Sequence, residues 1–148
     1  MLNRRSGQCL CGSVRYTVTL PSPHYTVCHC SMCRRFAAGP FMAVHARGDD
    51  VTWNADTGLT WFKSSEWAER GFCNMCGASL FYRIAAQPEM MLIASVDSLD
   101  DASDITLAKH IYVDHQPERY AFADGCPRRT EAEVLADFGI VEGGTDHD

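Results

Sequence analysis

The sequence predicts a mainly β domain, β-sandwich-like, assembled from several short antiparallel sheets with few short helices. Two observations carry this. Short alternating or apolar runs recur along the whole chain, as expected of strands that bury one face. Turn-forming clusters separate them: Pro21-Ser-Pro23, Gly48-Asp-Asp50, Asn54-Ala-Asp-Thr-Gly58 and Asp100-Asp101. The 148 residues suit one domain of ordinary size. A chain of that length buries roughly 68–70% of the surface its unfolded form exposes, so a real core can form.

In chain order, strands are expected at 14–18, 25–28, 41–45, 51–53, 59–63, 68–72, 80–84, 90–96 and 110–113. The first, Val14-Arg-Tyr-Thr-Val18, alternates behind a glycine, as a hairpin strand does. A short helix is expected at 31–35 and a second at 131–138. Thr130 can cap the second, Glu133 can complete a capping box, and Gly139 stands where a C-terminal glycine belongs. The stretch 141–148 is polar and glycine-rich and is expected to fray. The organisation expected is a domain over 1–126, followed by a C-terminal helix and flexible tail over 127–148.

Composition narrows the class. Hydrophobic residues make up 46% and charged residues 22% of the chain, which argues against global disorder. The formal net charge of −6 opposes a nucleic-acid partner, which calls for a basic patch. No apolar run approaches the ~20 residues that cross a bilayer, so no membrane partner is expected. The N-terminal stretch from Met1 to Cys9 has charge but no apolar core of a signal peptide. A cytoplasmic protein is therefore expected, monomeric or a small homo-oligomer, with its thiols reduced.

Of the 8 cysteines, seven fall in three tight clusters: Cys9-Leu-Cys11, Cys28-His-Cys30-Ser-Met-Cys33 and Cys73-Asn-Met-Cys76. Short loops can aim two sulfurs at one point about 2.3 Å from a zinc ion. A disulfide framework is the competing reading, and it needs an oxidising compartment. Gly12 follows Cys11 and Gly77 follows Cys76. A glycine there permits a positive φ and turns backbone N–H groups toward the sulfurs. Cys9, Cys11, Cys73 and Cys76 thus read as two halves of one four-sulfur site, closed and structural, making the domain zinc-stapled.

The middle cluster reads differently. It is followed by Arg34-Arg35, not by glycine. If 28–30 is extended, both sulfurs face one side and His29 the other. Cys33 then falls at the start of the short helix, where the dipole favours a thiolate. Three cysteines leave a tetrahedral ion one exchangeable position, the pattern of a catalytic zinc. His29, Cys126 and His110 are the alternatives as a fourth, closing ligand. Cys126, in Asp124-Gly-Cys-Pro127, has no cysteine neighbour and reads as a small hydrophobe. Arg34 or Arg35 can meet a substrate carboxylate by a bidentate pair, or remain as solvated surface charge. His110 is a candidate substrate-binding residue and proton shuttle, or else a structural histidine. Trp53, Trp61 and Trp67 lie on strand-like runs and read as core or pocket wall.

Together these residues resemble the glutathione-dependent formaldehyde-activating enzyme family. The resemblance runs through Gly7-Gln-Cys-Leu-Cys-Gly-Ser-Val-Arg-Tyr16, Cys28-His-Cys-Ser-Met-Cys-Arg-Arg35, Arg70-Gly-Phe-Cys-Asn-Met-Cys-Gly-Ala-Ser-Leu-Phe-Tyr82 and Lys109-His-Ile-Tyr112. It implies a β-rich fold built on two zinc ions, shared with centromere protein V and a Rab-GTPase chaperone. Cys9, Cys11, Cys73 and Cys76 would hold a structural zinc, and Cys28, Cys30 and Cys33 a catalytic one. It implies a carbon–sulfur lyase joining formaldehyde to the glutathione thiol as S-hydroxymethylglutathione. Its partners would be a small thiol and a carbonyl compound. Here Arg34-Arg35 stands where the family commonly has Arg-Lys, and the aromatic that often follows the His-Ile strand stands in Glu118-Arg119-Tyr120.

Two mechanisms fit an open zinc. It can deprotonate a substrate thiol or polarise a carbonyl. The rival function is a non-catalytic zinc module acting through protein partners. An open three-sulfur site is the feature that a pure scaffold does not need.

Overall fold

The computed structural model describes residues 3–140. The expected tail at 141–148 lies outside them. The described residues form eleven strands, two α-helices and two 3-10 turns. The chain divides into two compact units, one of residues up to 24 and 43–105, the other of 25–42 and 106 onward.

The first unit begins with β1 (Asn3–Gln8), β2 (Arg15–Leu20) and β5 (Val51–Ala55), a three-stranded antiparallel sheet in the order β1-β2-β5. Its other strands are β4 (Phe41–Ala46), β6 (Leu59–Lys63), β7 (Ala68–Cys73), β8 (Ser79–Ile84) and β9 (Leu92–Ser95), paired in the order β4-β9-β8-β7-β6. The core follows the alternation of these strands. Tyr16, Val18, Leu20, Val44, Leu80 and Phe81 are fully or almost fully buried. Phe81 meets Tyr16 edge-on at 4.9 Å and Trp53 edge-on at 5.4 Å, while Trp61 stacks on it at 5.9 Å. Such pairs contribute about 0.5–1.5 kcal/mol beyond their burial. The Tyr16 hydroxyl is bonded to Ser98, and burial pushes it up to about 12.

The second unit holds β3 (His24–Cys28), α1 (Ser31–Ala37), β10 (Thr106–Ile111), β11 (Arg128–Arg129) and α2 (Glu131–Asp137), with strand order β11-β10-β3. β10 and β11 pair in parallel. The intervening loop gives the chain room to return in the same direction. α2 carries the expected capping box, with Glu133 N–H on Thr130 and Thr130 N–H on the Glu133 carboxylate. It closes with Ile140 N–H on Leu135 carbonyl and Gly139 N–H on Ala136 carbonyl, a Schellman ending that Gly139 allows at φ 75°. No helix among the described residues is long and apolar enough to cross a membrane.

The other expected elements form within two residues of their expected bounds, and three differences are larger. β1 was not anticipated, because Asn3-Arg-Arg-Ser-Gly-Gln is polar; its arginines are satisfied by ion pairs to Asp50 and Asp104. β11 is too short to register as a periodic run. β10 starts at Thr106, four residues before the expected 110.

Candidate metal centres

None of the eight cysteines, all among the described residues, is joined in a disulfide. The first unit brings Cys9, Cys11, Cys73 and Cys76 together, with every sulfur within 4.8 Å of the others. Cys11 Sγ lies 3.7 Å from Cys9 Sγ and 3.8 Å from Cys73 Sγ. Gly12 and Gly77 adopt φ of 83° and 80°, as the two turns require. Backbone groups surround the sulfurs: the Val14 N–H donates to Cys9 Sγ at 3.3 Å. The Ala78 N–H holds the Cys76 thiol down at about 6, and Ser13 lowers Cys11. Burial instead pushes Cys73 up to about 11. A third segment ties the two loops together. The Gly58 N–H reaches the Ser13 carbonyl at 3.4 Å, and the Asn74 N–H reaches the Gly58 carbonyl at 2.8 Å.

The second unit brings Cys28, Cys30 and Cys33 within the same mutual distance of 4.8 Å. Cys28 ends β3. Cys30 is the extended N-cap of α1, and its sulfur accepts the Cys33 N–H at 3.3 Å. Cys33 is buried in the first turn. Hydrogen bonding with Cys30 and Cys33, and then burial, pushes the Cys28 thiol well above its ordinary value. Three crowded thiols resist ionising together. A divalent cation reverses this, since a coordinated thiol gives up its proton outright. Both clusters are soft, all-sulfur donor sets that suit zinc.

His29, between two of these cysteines, points elsewhere. Its Nε2 lies 2.9 Å from His110 Nδ1 and its Nδ1 lies 3.1 Å from the Tyr120 hydroxyl. His110 Nε2 is 3.0 and 3.1 Å from the two carboxylate oxygens of Asp124. His29 is 0% and His110 1% exposed, so the bond between the two rings is shielded from water, while Asp124 at the far end is exposed. Phe122 packs edge-on against both rings. Burial, followed by the charges of His110, Arg128 and Arg34, pushes the His29 imidazole down to about 4. The Cys126 N–H, at 2.8 Å, and His110 hold Asp124 well below the usual carboxylate range. Sequence reasoning did not pair His110 with Asp124, nor His29 with Tyr120; these residues are scattered over 29–124, and no spacing joins them.

The remaining candidates separate. Cys126 Sγ bonds the Leu107 carbonyl at 3.4 Å. Arg34 is half-buried, and its Nε donates to the His29 carbonyl at 3.0 Å. Arg35 is exposed. A further group, Asp114, His115 and Glu131, also lies within metal-ligand reach. Its members already serve each other: His115 Nε2 meets Glu131 at 2.8 Å and the Glu131 N–H donates to Asp114 at 2.9 Å. That group fastens the start of α2 to the preceding loop.

With these sites in view, similarity to known proteins is informative. A Schizosaccharomyces pombe protein named as an uncharacterised lyase is 29% identical over 130 residues, spanning 87% of this chain and 93% of its own. A Halomonas elongata protein, provisionally named as a glutathione-dependent formaldehyde-activating enzyme, is 28% identical over 93% of this chain and 98% of its own. A crystal structure of a Rhodobacter sphaeroides protein superposes with a TM-score of 0.56 at 26% identity, covering 70% of this chain and 99% of that one. The family described as "Glutathione-dependent formaldehyde-activating enzyme" matches residues 4–115, which include all seven clustered cysteines. The chain belongs to the glutathione-dependent formaldehyde-activating enzyme family.

Proposed function

We propose that the protein is a zinc-dependent carbon–sulfur lyase that joins a small thiol, glutathione or one like it, to formaldehyde, and reverses the same step. The observation that carries this is the contrast between the two clusters. Among the described residues one has four cysteines and the other three. A four-sulfur set is complete for tetrahedral zinc, whereas a three-sulfur set leaves one position for exchange. In this reading Cys9, Cys11, Cys73 and Cys76 hold a structural zinc, and Cys28, Cys30 and Cys33 a catalytic one.

Zinc at the second cluster supplies Lewis acidity, which favours loss of a proton from a nearby thiol or polarises a carbonyl. The chain's own residues do the rest. Three thiolates on a divalent ion leave a net negative site, so an anionic thiol needs affinity from elsewhere. Arg34 stands one residue beyond Cys33, with its Nε fixed on the His29 carbonyl. Its remaining guanidinium N–H groups suit a substrate carboxylate. Arg35, exposed beside it, adds positive charge that favours approach of an anion. His110 is buried and works from behind the site rather than on substrate directly. In the reaction the thiol S–H adds across the formaldehyde C=O: sulfur bonds carbon, and the proton ends on oxygen.

The test is carbon-13 exchange spectroscopy of labelled formaldehyde with glutathione, which reads formation and breakdown of S-hydroxymethylglutathione at equilibrium. Exchange should rise in proportion to wild-type protein. It should fall to the uncatalysed rate with Cys30→Ser, which is expected to keep the first unit folded with its four-cysteine metal. No acceleration with glutathione, cysteine or mercaptoethanol would sink the lyase reading and leave the non-catalytic zinc module.

A further inference from the structure

His29 stands between two of the three clustered cysteines, and protein groups hold every one of its polar atoms. Its N–H donates to the Ile111 carbonyl at 3.1 Å, and its carbonyl accepts from Arg34 Nε at 3.0 Å. Its ring nitrogens lie 2.9 Å from His110 Nδ1 and 3.1 Å from the Tyr120 hydroxyl. Both of those rings stack on it, with centroids 5.2 and 5.8 Å away, and Phe122 stands edge-on at 5.5 Å. The two partners are themselves tied down. His110 meets the Asp124 carboxylate at 3.0 Å. The Tyr120 carbonyl accepts from Gln116 at 3.1 Å, and Arg128 holds the Gln116 side chain at 2.7 Å.

This is more polar bonding than filling a core requires. An apolar side chain of similar volume would pack among these rings with no partners to find. A fully satisfied buried network instead fixes one orientation. The orientation matters because of where His29 stands in the chain. Cys28 ends a strand, and Cys30 is extended at φ −63° and ψ 155°. Alternation along such a segment sends the two sulfurs to one side and the histidine ring to the other. Turning the segment about its own axis would swing both sulfurs away together, and the clamped ring opposes that turn. Cys33 follows, since its N–H is on Cys30 Sγ at 3.3 Å and the Arg34 N–H is on the Cys30 carbonyl at 3.0 Å. One side chain thus controls the aim of three sulfurs that lie within 4.8 Å of one another.

We propose that His29 is a positioning residue for the three-cysteine metal site, and that Tyr120 and His110 raise metal affinity through it. This rests on the reading above that Cys28, Cys30 and Cys33 hold zinc. A donor set already held in its binding geometry loses less freedom when the ion arrives, and so binds it more tightly. The role requires no change of protonation. It links the loop that carries Tyr120 to the metal in both directions. Whatever the hydroxyl adds to zinc affinity, zinc adds to the hold of Tyr120 on His29.

The experiment withdraws zinc by graded chelator competition. The class of zinc that Cys30→Ser lacks is assigned to the three-cysteine site. Each variant is measured at a temperature where circular dichroism shows it folded. Tyr120→Phe keeps the ring and removes one hydroxyl. It should weaken the assigned class about tenfold and leave the other class unchanged, while His29→Ala should weaken it about a hundredfold, the range expected when partners behind metal ligands are removed. Adding Tyr120→Phe to His29→Ala should cost nothing further, because the hydroxyl acts through the ring. A hydroxyl that only stabilised the fold would lower Tm and leave the zinc affinity of folded protein alone. Filling the assigned class in wild type should also slow amide exchange in 116–126, and less so in Tyr120→Phe. Unchanged zinc affinity in Tyr120→Phe, equal losses in both backgrounds, or no slowing of exchange in 116–126 overturns the positioning role and leaves the three-cysteine metal standing. The first of these decides even where His29→Ala does not fold. Undiminished zinc content in Cys30→Ser removes the three-cysteine reading, and the positioning role with it.

Discussion

Arg34 and Arg35 are sequence neighbours with different surroundings. Arg34 is held at its Nε by the His29 carbonyl, which leaves its terminal N–H groups fixed in direction. Arg35 is exposed. A charge-assisted hydrogen bond to a substrate carboxylate contributes about 1.5–3 kcal/mol. Arg34→Ala should therefore weaken glutathione binding about ten- to a hundredfold, at 1.4 kcal/mol per decade. Arg35→Ala should change it by up to about fivefold, since exposed charges are worth about 0–1 kcal/mol. Calorimetric titration of both variants, with zinc content checked, measures the difference; equal losses would mean that neither arginine is singled out by its tether. Gly58 is constrained by space. A Cβ there would meet Cys73 Sγ at 2.8 Å and Ser13 Cβ at 2.9 Å. Gly58→Ala should cost about 1–3 kcal/mol through overpacking, several degrees in Tm for a chain of this size. Faster loss of the four-cysteine metal to a chelator should accompany it.

At the scale of elements, α1 shows a correctable weakness. Its C-cap, Ala38, is in the left-handed region at φ 58° and its N–H caps the helix on the Arg34 carbonyl. A residue with a Cβ gives up roughly 1–2 kcal/mol in that conformation. Ala38→Gly should raise Tm by a few degrees, measured by thermal denaturation, with zinc content unchanged; a fall would mean that glycine's unfolded-state entropy outweighs the relieved strain. The elements also show what a sequence can carry. β6 was expected at 59–63 and forms there, because Leu-Thr-Trp-Phe-Lys is β-prone and bounded by turns. The cysteine clusters were legible for a local reason: two ligands per loop appear as a fixed spacing. β1 was not, because its arginines are satisfied by Asp50 and Asp104, partners far along the chain. The Tyr120–His29–His110–Asp124 chain was invisible for the same reason. Its one local trace is the turn in which Asp124 accepts the Cys126 N–H.

For the whole molecule, the decisive fact is how the cysteines divide. Cys9, Cys11, Cys73 and Cys76 all belong to the first unit, and Cys28, Cys30 and Cys33 all belong to the second. A metal at either set would therefore close loops within one unit. The first set joins positions more than 60 residues apart, since Cys11 and Cys73 are separated by 62. The second spans a single strand end and helix turn. Structural zinc is worth about 10–16 kcal/mol in small peptides, comparable to the ~5–15 kcal/mol that stabilises a whole domain. Loss of the long-range clip should thus be far more damaging than loss of the local one. Cys73→Ser should be insoluble or unfolded, whereas Cys30→Ser should fold with less metal. Hydrogen exchange read by mass spectrometry makes the prediction regional. In Cys30→Ser, protection should fall in 25–42 and 106–140 and stay near wild type in 3–24 and 43–105. Graded removal of metal from wild type should first release the three-sulfur ion, whose fourth position is open to chelator, and reproduce that same pattern. Protection lost evenly across both units in Cys30→Ser would show that the two metals stabilise one indivisible structure, and the separation of a structural from a working site would then have to be abandoned.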